Sequence, residues 1–595
     1  MDTRRLSVVI GGESGQGVNS IGELFANAIK RNGYKVFGYR EYPSLIKGGF
    51  KLDQVASYQL DFSDNQIGCP SRYYDLAICI SRLAVHKLLK NIKSGGTLLH
   101  SITKLNLSDT ELDRINEQKI NLVYVDAKDK VKELGGKSIM ENIFLSGMAW
   151  KVLGIELGCL MQAVRHQFSN KPQILDLNIK CVEAGYQSEL LGEIKQLEIN
   201  FETKPNWNDS YIISGNEVMG LGVIAAGVRL YIGYPMTPTS SLLSFLSANY
   251  HKTGMVIKQA EDEITAAQMV IGAMHMGTRA LTGTSGGGFD LMSESLSLAA
   301  MTETPFVCIL GQRPGPATGL PTWTAAGDLN LAVFAGHGEF VRCVIAASDY
   351  SSAFLAIQKA FNIAEKYQIP VIVLTEKQIG ESLYNFDNLP ASVEIERELV
   401  PDELIANVKR EDRYKLTESG ISPRWLPGQT LQTFSGNSDE HFGHGRLTED
   451  AEESKLMMEK RMRKEQFLLK ELPEPELFGD GSGDILFVGW GSVKSAVLDS
   501  FDIVKSQKFE PKAHQTVLEN VNCSYLHYEY VWPLRTEKLI SLKQNFKRVV
   551  LVENNYTGQL GNLIKMVSGI EFEERLLKYD GRGFFLEDIL DFIAN

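Results

Sequence analysis

Three short segments carry residue types that could do acid–base or anion chemistry. Glu263 lies in Gln259-Ala-Glu-Asp-Glu-Ile-Thr-Ala-Ala-Gln268, where acids separate an apolar run from an alanine-rich helical pattern. Acids in a first helical turn are favoured by the helix dipole, which alone accounts for them. Glu263, two residues before Thr265-Ala-Ala, also reads as a carboxylate at the start of a buried helix. Arg313 lies in Gly311-Gln-Arg-Pro-Gly-Pro-Ala-Thr-Gly-Leu-Pro-Thr322, directly after the apolar run Phe306–Leu310. With Thr318 and Thr322 it forms a donor set suited to a carboxylate, although pairing with a surface glutamate explains an arginine equally well. In Tyr234-Pro-Met-Thr-Pro-Thr-Ser240 two prolines flank Thr237 and fix an extended, rigid turn. That holds the hydroxyls of Thr237, Thr239 and Ser240 in place, and Thr239 or Ser240 also suits a helix N-cap before Leu242.

Segments of this kind need a scaffold, and the apolar pattern predicts one of α/β class built on open parallel sheets. Leu6–Ile10 reads as a strand and Gly11–Gly17 as a loop, while Ile21, Leu24, Phe25, Ala28 and Ile29 share one helical face that Gly33 ends. Lys35–Tyr39 and Leu76–Ile80 are further strands, and this unit spans 1–195, before a polar stretch at 200–210. A second unit, 206–385, has strands at Met255–Lys258, Arg279–Leu281, Phe306–Leu310 and Val371–Leu374. Loops at the carboxyl ends of parallel strands are where such folds place ligands. Residues 386–480 are richer in charge and read as a connecting segment, with an exposed charged helix at Ala451–Lys470. A third unit, 481–595, opens on the strand Asp484–Trp490 and closes on the helix Leu586–Ala594.

Composition narrows the function. The 595 residues carry a net charge of −12, which argues against a nucleic-acid footprint. No run approaches the roughly 20 apolar residues of a membrane helix, and the apolar stretch after Arg4 and Arg5 is too short for a signal peptide. The expected compartment is the cytoplasm. None of the seven cysteines forms a Cys-x-x-Cys, so neither a disulfide framework nor iron–sulfur ligation is expected in this chain. Gly11–Gly17 leaves two readings open, a phosphate-binding loop at a helix N-terminus or a tight turn, since its spacing is not Gly-x-Gly-x-x-Gly. Gly479-Asp-Gly481 looks like the start of a magnesium–diphosphate motif. It stands before a strand rather than after one and lacks an asparagine at the needed distance, so it reads as an interdomain turn with no metal site.

Taken together, the segments resemble one family. Tyr234–Ser240 is similar to the Tyr-Pro-Ile-Thr-Pro-Ser-Ser signature of 2-oxoacid:ferredoxin oxidoreductases, with Met236 for Ile and Thr239 for Ser. Glu263 with Ala266 and Ala267 resembles the Glu-x-x-Ala-Ala pattern of thiamine diphosphate pyrimidine-binding domains. Arg313–Thr322 resembles the family's Gln-Arg-x-Gly-Pro-Ser-Thr-Gly-Leu-Pro-Thr loop, and Thr284-Ser-Gly-Gly-Gly-Phe289 its Thr-Ser-Gly-Pro-Gly-Phe turn, with Gly287 replacing Pro. The resemblance implies a γ-type domain over 1–195 fused ahead of an α-type subunit, and a transketolase C-terminal-like domain over 481–595.

It further implies CoA-dependent oxidative decarboxylation of a 2-oxoacid, 2-oxoglutarate foremost, with reduction of ferredoxin. The same chemistry on pyruvate or branched-chain 2-oxoacids, or a non-catalytic scaffold subunit, are the alternatives. Glu263 would hydrogen-bond the pyrimidine of thiamine diphosphate and so act catalytically. Pro235, Thr284 and Ser285 would help hold that cofactor, and Arg313, Thr237 and Thr322 would hold the 2-oxoacid. A small β subunit would bring Mg2+, the diphosphate site and an iron–sulfur cluster, in a dimer of heterodimers that passes electrons to ferredoxin. Neither membrane nor nucleic acid is an expected partner.

Overall fold

The computed structural model describes residues 5–44, 55–189, 194, 196, 197, 199, 203, 210–505 and 521–595. Most of the polar stretch at 200–210, the end of the first unit near 195, and Arg4 lie outside the described residues.

Three open sheets organise the chain. The first has eight strands in the order Asn121–Tyr124, Ile92–His100, Tyr74–Cys79, Leu6–Gly12, Ala56–Ser63, Lys35–Glu41, Leu383–Phe386, Tyr211–Ser214. It is parallel from Leu6–Gly12 through Asn121–Tyr124, and antiparallel on its other side, where Leu6 faces Phe62 and Lys35 faces Ser63. The open sheet expected for this unit is present, and it is parallel on one side only. Apolar patterning does not distinguish the two, because the strands Leu6–Gly12 and Ala56–Ser63 are buried along their whole lengths.

The second sheet has seven strands in the order Tyr530–Trp532, Cys343–Ala346, Pro370–Glu376, Phe306–Gln312, Ala280–Thr284, Leu230–Gly233, Val256–Gln259. All are parallel except the edge strand Tyr530–Trp532. Phe306–Gln312 and Pro370–Glu376 are buried at every residue, as strands covered on both faces must be. The third sheet has five strands, Glu476–Phe478, Cys523–His527, Gly483–Gly489, Phe546–Glu553 and Glu574–Leu577.

The sheets do not part where the sequence pattern changes. Tyr211–Ser214 and Leu383–Phe386, from the two ends of the second unit, complete the first sheet, and Tyr530–Trp532 from the third unit edges the second. Gly479-Asp-Gly481 follows a strand after all, the three-residue Glu476–Phe478, and leads into Gly483–Gly489. The Asn522 amide reaches both Asp480 Oδ2 and the Ser482 carbonyl there, which is turn chemistry.

The helix Ala451–Glu471 is also not simply exposed. Lys460 and Lys464 lie on its buried face, where both ammonium groups clasp the carboxylate of Glu303, 2.7 Å away for Lys464. Lys460, Arg461 and Lys464 are paired on that buried face, while Glu452, Lys455, Glu459 and Lys470 are exposed as the charge pattern suggested.

Candidate functional site

The four segments that carry the family resemblance leave the carboxyl edge of the seven-stranded sheet. Tyr234–Ser240 follows Leu230–Gly233, Glu263 comes soon after Val256–Gln259, Thr284–Phe289 caps Ala280–Thr284, and Arg313 follows Phe306–Gln312. These four strands are neighbours, so segments far apart in sequence meet over one edge.

Glu263 opens the helix Glu263–His275. Asp262 is the N-cap and accepts the Thr265 N–H at 2.7 Å, which frees Glu263 from capping duty. Glu263 is buried, and its Oε1 has no hydrogen-bond partner. A bare backbone fills the space beside it: a Cβ on Gly288 would come within 2.6 Å of Glu263 Oε1. Thr284 and Ser285 are fully buried, and Ser285 Oγ is likewise unpartnered. The expected turn at 284–289 is the start of a short helix, Gly286–Leu291. Leaving two polar atoms buried and unpaired costs the fold about 1–3 kcal/mol each, a cost a polar ligand removes.

The Pro235–Thr239 turn supports the arginine. Arg313 Nη1 donates to the Thr237 carbonyl at 3.1 Å, and among the described residues Arg313 makes no ion pair. Burial holds its guanidinium below the usual arginine range, with Asp328 opposing that shift. A half-buried cation without a carboxylate partner suits an anionic ligand. Thr239 stands at the N-cap of Ser240–Thr253 but does not cap it with its side chain, because its hydroxyl donates to the Met236 carbonyl at 2.9 Å. The packing beside it is close: a Cβ on Gly311, inside the strand Phe306–Gln312, would come within 2.8 Å of Thr239 Cγ2. Pro235 is exposed at the rim.

Thr322 is engaged within the protein. Its hydroxyl donates to the Tyr42 carbonyl at 2.7 Å and lies 3.3 Å from Ser44 Oγ, so its proton ties the loop to the first sheet. Tyr42 and Ser44 carry no local signal of a role; only the fold brings them to residue 322.

Asp328 also escaped the sequence reading, since an aspartate before Leu329 reads as an ordinary cap. It stands at the N-cap of Leu329–Phe334 yet makes no cap bond with its side chain. Its N–H donates to Gln312 Oε1 at 3.0 Å, and its Oδ2 is buried without a partner. A Cβ on Gly286 would lie 2.9 Å from that oxygen. Burial, helped by Asp290 and opposed by Arg313, pushes its carboxyl up to about 6.

Comparison with known proteins bears on the domains that hold these residues. Residues 221–460 match the family described as pyruvate flavodoxin/ferredoxin oxidoreductase, thiamine diP-bdg, and residues 7–188 match pyruvate ferredoxin/flavodoxin oxidoreductase. The chain is 30% identical over 640 residues to a 2-oxoacid:ferredoxin oxidoreductase subunit alpha of Sulfolobus sp, covering 98% of this chain and 96% of that one. This chain belongs to the 2-oxoacid:ferredoxin oxidoreductase alpha subunits. A 2-oxoglutarate oxidoreductase subunit KorA of Mycobacterium tuberculosis is 27% identical, covering 100% of this chain and 92% of the relative. The 2-oxoglutarate:ferredoxin oxidoreductase from Magnetococcus marinus, solved with 2-oxoglutarate, coenzyme A and succinyl-CoA bound, superposes at a TM-score of 0.88. It is 27% identical and covers 100% of this chain and 99% of its own.

The oxidoreductase chain thus carries a thiamine diphosphate-binding domain of a family whose subunits work with partners. Its residues fit the ring end of that cofactor: Glu263 Oε1 and Ser285 Oγ are polar, buried and unpartnered, and Gly288 leaves the wall bare. Among the described residues no group of three or more His, Cys, Asp or Glu could hold a metal ion, and no helix is long and apolar enough to cross a membrane.

Proposed function

We propose that this subunit binds 2-oxoglutarate and the pyrimidine end of thiamine diphosphate, and that with a small partner subunit it forms succinyl-CoA and CO2 while reducing ferredoxin. The observation that carries the reading is Glu263, a buried carboxylate at a helix start whose Oε1 has no partner and faces the bare Gly288. Such a group is free to hydrogen-bond a ring nitrogen and hold it in the form that passes a proton on. Thiamine diphosphate, when bound, supplies the electron sink for decarboxylation. Thr284, Ser285 and Pro235 shape the wall beside it. Arg313, fixed by the Thr237 carbonyl, pairs with the 1-carboxylate, and the Thr237 side chain orients the 2-oxo group. Thr322 acts one step back, holding the loop against Tyr42.

The choice of 2-oxoglutarate rests on the names of the Mycobacterium and Magnetococcus relatives. In this reading residues 1–195 are the γ-type domain, 206–385 the pyrimidine-binding domain, 386–480 a connector and 481–595 the transketolase C-terminal-like domain. Mg2+, the diphosphate site and an iron–sulfur cluster belong to the partner, in a cytoplasmic dimer of heterodimers. Copurification with that partner and assay of CoA-dependent viologen reduction tests this. Preference for 2-oxoglutarate over pyruvate and branched-chain 2-oxoacids supports the full reading. Preference for another 2-oxoacid changes the substrate, and no turnover with any of them in an intact, oxygen-free complex refutes the function.

A further inference from the structure

We propose that Asp328 is a further substrate-contacting residue of this site, one that holds a proton while the 2-oxoacid is bound and donates it as a hydrogen bond to the carboxylate paired with Arg313. The inference rests on the functional reading above and adds a residue, and a proton, that it does not contain.

Geometry comes first. Asp328 Oδ2 is buried, has no partner, and is pressed against Gly286, where a Cβ would lie only 2.9 Å away. Gly286 belongs to the same turn that holds Ser285, whose Oγ is the second unpartnered atom, and Gly288, which borders the third, Glu263 Oε1. Three orphaned oxygens around one turn mark a place that a polar ligand completes. Asp328 lies on the Arg313 side of it: its N–H is fixed by Gln312, the residue just before Arg313.

If Asp328 merely anchored the arginine, the two would form an ion pair. Among the described residues they do not, and Arg313 is held by the Thr237 carbonyl instead. The cation and the unpartnered carboxyl are thus near enough to act on each other's charge without pairing.

An anionic substrate beside a charged Asp328 would be repelled. The same substrate beside a protonated Asp328 gains a donor. The charged groups that face Asp328 are Asp290 on Gly286–Leu291 and Arg313 on the loop after Phe306–Gln312, with Glu263 behind the turn; the helix Gln559–Ser568 presents the neutral Gln559, bonded to Asn330 N–H at 2.8 Å. Burial and Asp290 already bring the free carboxyl up to about 6, so little is needed to keep it protonated in the complex. The bound anion raises it further. Binding then takes up a proton across the window between the free and the bound value. Affinity is level below about 6 and falls about tenfold per pH unit above it, until the bound value is reached.

The test uses the intact complex with its partner. Heat of 2-oxoglutarate binding is measured near neutral pH in two buffers of different ionisation enthalpy, and KM and kcat are followed against pH for the wild type, Asp328→Asn and Asp328→Ala. Expected are net proton uptake approaching one in the wild type and none in Asp328→Asn. The amide, a permanent donor, should hold KM level with pH, while Asp328→Ala should raise KM about tenfold at acid pH with kcat less affected. Equal proton uptake in wild type and Asp328→Asn, or the same KM slope in both, overturns the proposal. The wild-type buffer comparison needs no variant, and absence of uptake there overturns it alone. A wild-type complex that binds and turns over the 2-oxoacid without uptake sinks only the role of Asp328; one that neither binds nor turns over any 2-oxoacid sinks the functional reading as well.

Discussion

Replacing Glu263 by Gln asks the sharpest question of this site. Glutamine keeps the volume and planar shape of the side chain and removes its charge and basicity. The side chain is buried, and Oε1, the atom facing Gly288, makes no hydrogen bond within the protein. Among the described residues the substitution thus breaks no hydrogen bond of the fold, and stability should change by less than about 1 kcal/mol, as for other changes that remove no contact. Catalysis should respond otherwise. A positioned acid–base group contributes roughly 10²–10⁴-fold, so turnover should fall by that factor, which is about 3–5 kcal/mol on the barrier. KM for the 2-oxoacid should move little, because Arg313 is untouched. The assay is CoA-dependent viologen reduction by the copurified complex, with thermal unfolding measured on the same preparation. An unchanged melting temperature with turnover reduced about a hundredfold or more bears the reasoning out. Turnover within about threefold of wild type refutes it.

Other substitutions test the walls around that carboxylate. Gly288→Ala places a methyl 2.6 Å from Glu263 Oε1 and should displace it, lowering turnover about as far as the loss of the carboxylate itself; normal kinetics would show that the two do not share a wall. Arg313→Ala should raise KM for the 2-oxoacid by about 10–100-fold, with a smaller effect on kcat, from loss of a charge-assisted bond worth about 1.5–3 kcal/mol. An unchanged KM in steady-state assay would remove Arg313 from the site. Glu303→Gln leaves Lys460 and Lys464 buried without their carboxylate and should destabilise the chain by about 3–5 kcal/mol in denaturant unfolding. The two lysines hold the Glu303 carboxyl well below the usual range, so its contribution is present above the ordinary glutamate value and is lost as pH falls through the lowered one. Glu303→Gln should accordingly flatten the acid limb of the stability profile.

The legibility of this chain differs between local and distant relations. Glu263, Arg313 and the Pro235–Thr239 turn could be singled out because each announces itself within a dozen residues: acids before an alanine-rich helix, an arginine in a Gly/Pro loop, prolines around a threonine. Strand positions were legible for the same reason, since Phe306–Gln312 and Pro370–Glu376 are continuous apolar runs. Strand direction was not, because Leu6–Gly12 has one parallel and one antiparallel neighbour and is buried against both. Thr322 was assigned by analogy to the substrate, while its bond to Tyr42 spans 280 positions, and no local pattern encodes that. Asp328 resembled a helix cap; what distinguishes it is an oxygen with nothing to bond, a property of the assembled fold alone. The charged helix Ala451–Glu471 misled in the opposite way, because composition registers lysines but not the single buried glutamate that receives two of them.

The shared strands and the Arg313 loop have a common physical logic. The loop after Phe306–Gln312 is rich in Gly and Pro and has no ladder of its own, so it must be held from outside. The first unit holds it through the Tyr42 carbonyl at Thr322. The third unit holds it through the Gly581 carbonyl at the Thr324 N–H, 3.2 Å, and the Asn554 carbonyl at the Ala326 N–H, 2.8 Å. The sheet's own edge holds it through Glu376, which accepts from the Thr324 hydroxyl and the Ser492 N–H at 3.0 Å each. Lys377, the next residue, is fully buried, donates to the Arg40 carbonyl and lies 4.6 Å from the Tyr39 ring centre, so it fastens the first sheet to the same strand end. Three units thus converge on one loop, and each contributes contacts of modest individual strength. Positioning a catalytic constellation within fractions of an ångström requires that supporting groups be fixed on rigid elements. Exchanging strands between sheets provides that rigidity, because no unit can shift without breaking a ladder: Leu383–Phe386 is bonded to both Lys35–Glu41 and Tyr211–Ser214. Continuity of the first unit with the same chain then does more than keep two units together. It places Tyr42 and Ser44 against Thr322 of that loop, so a separately made first unit would have to recover that register by association alone.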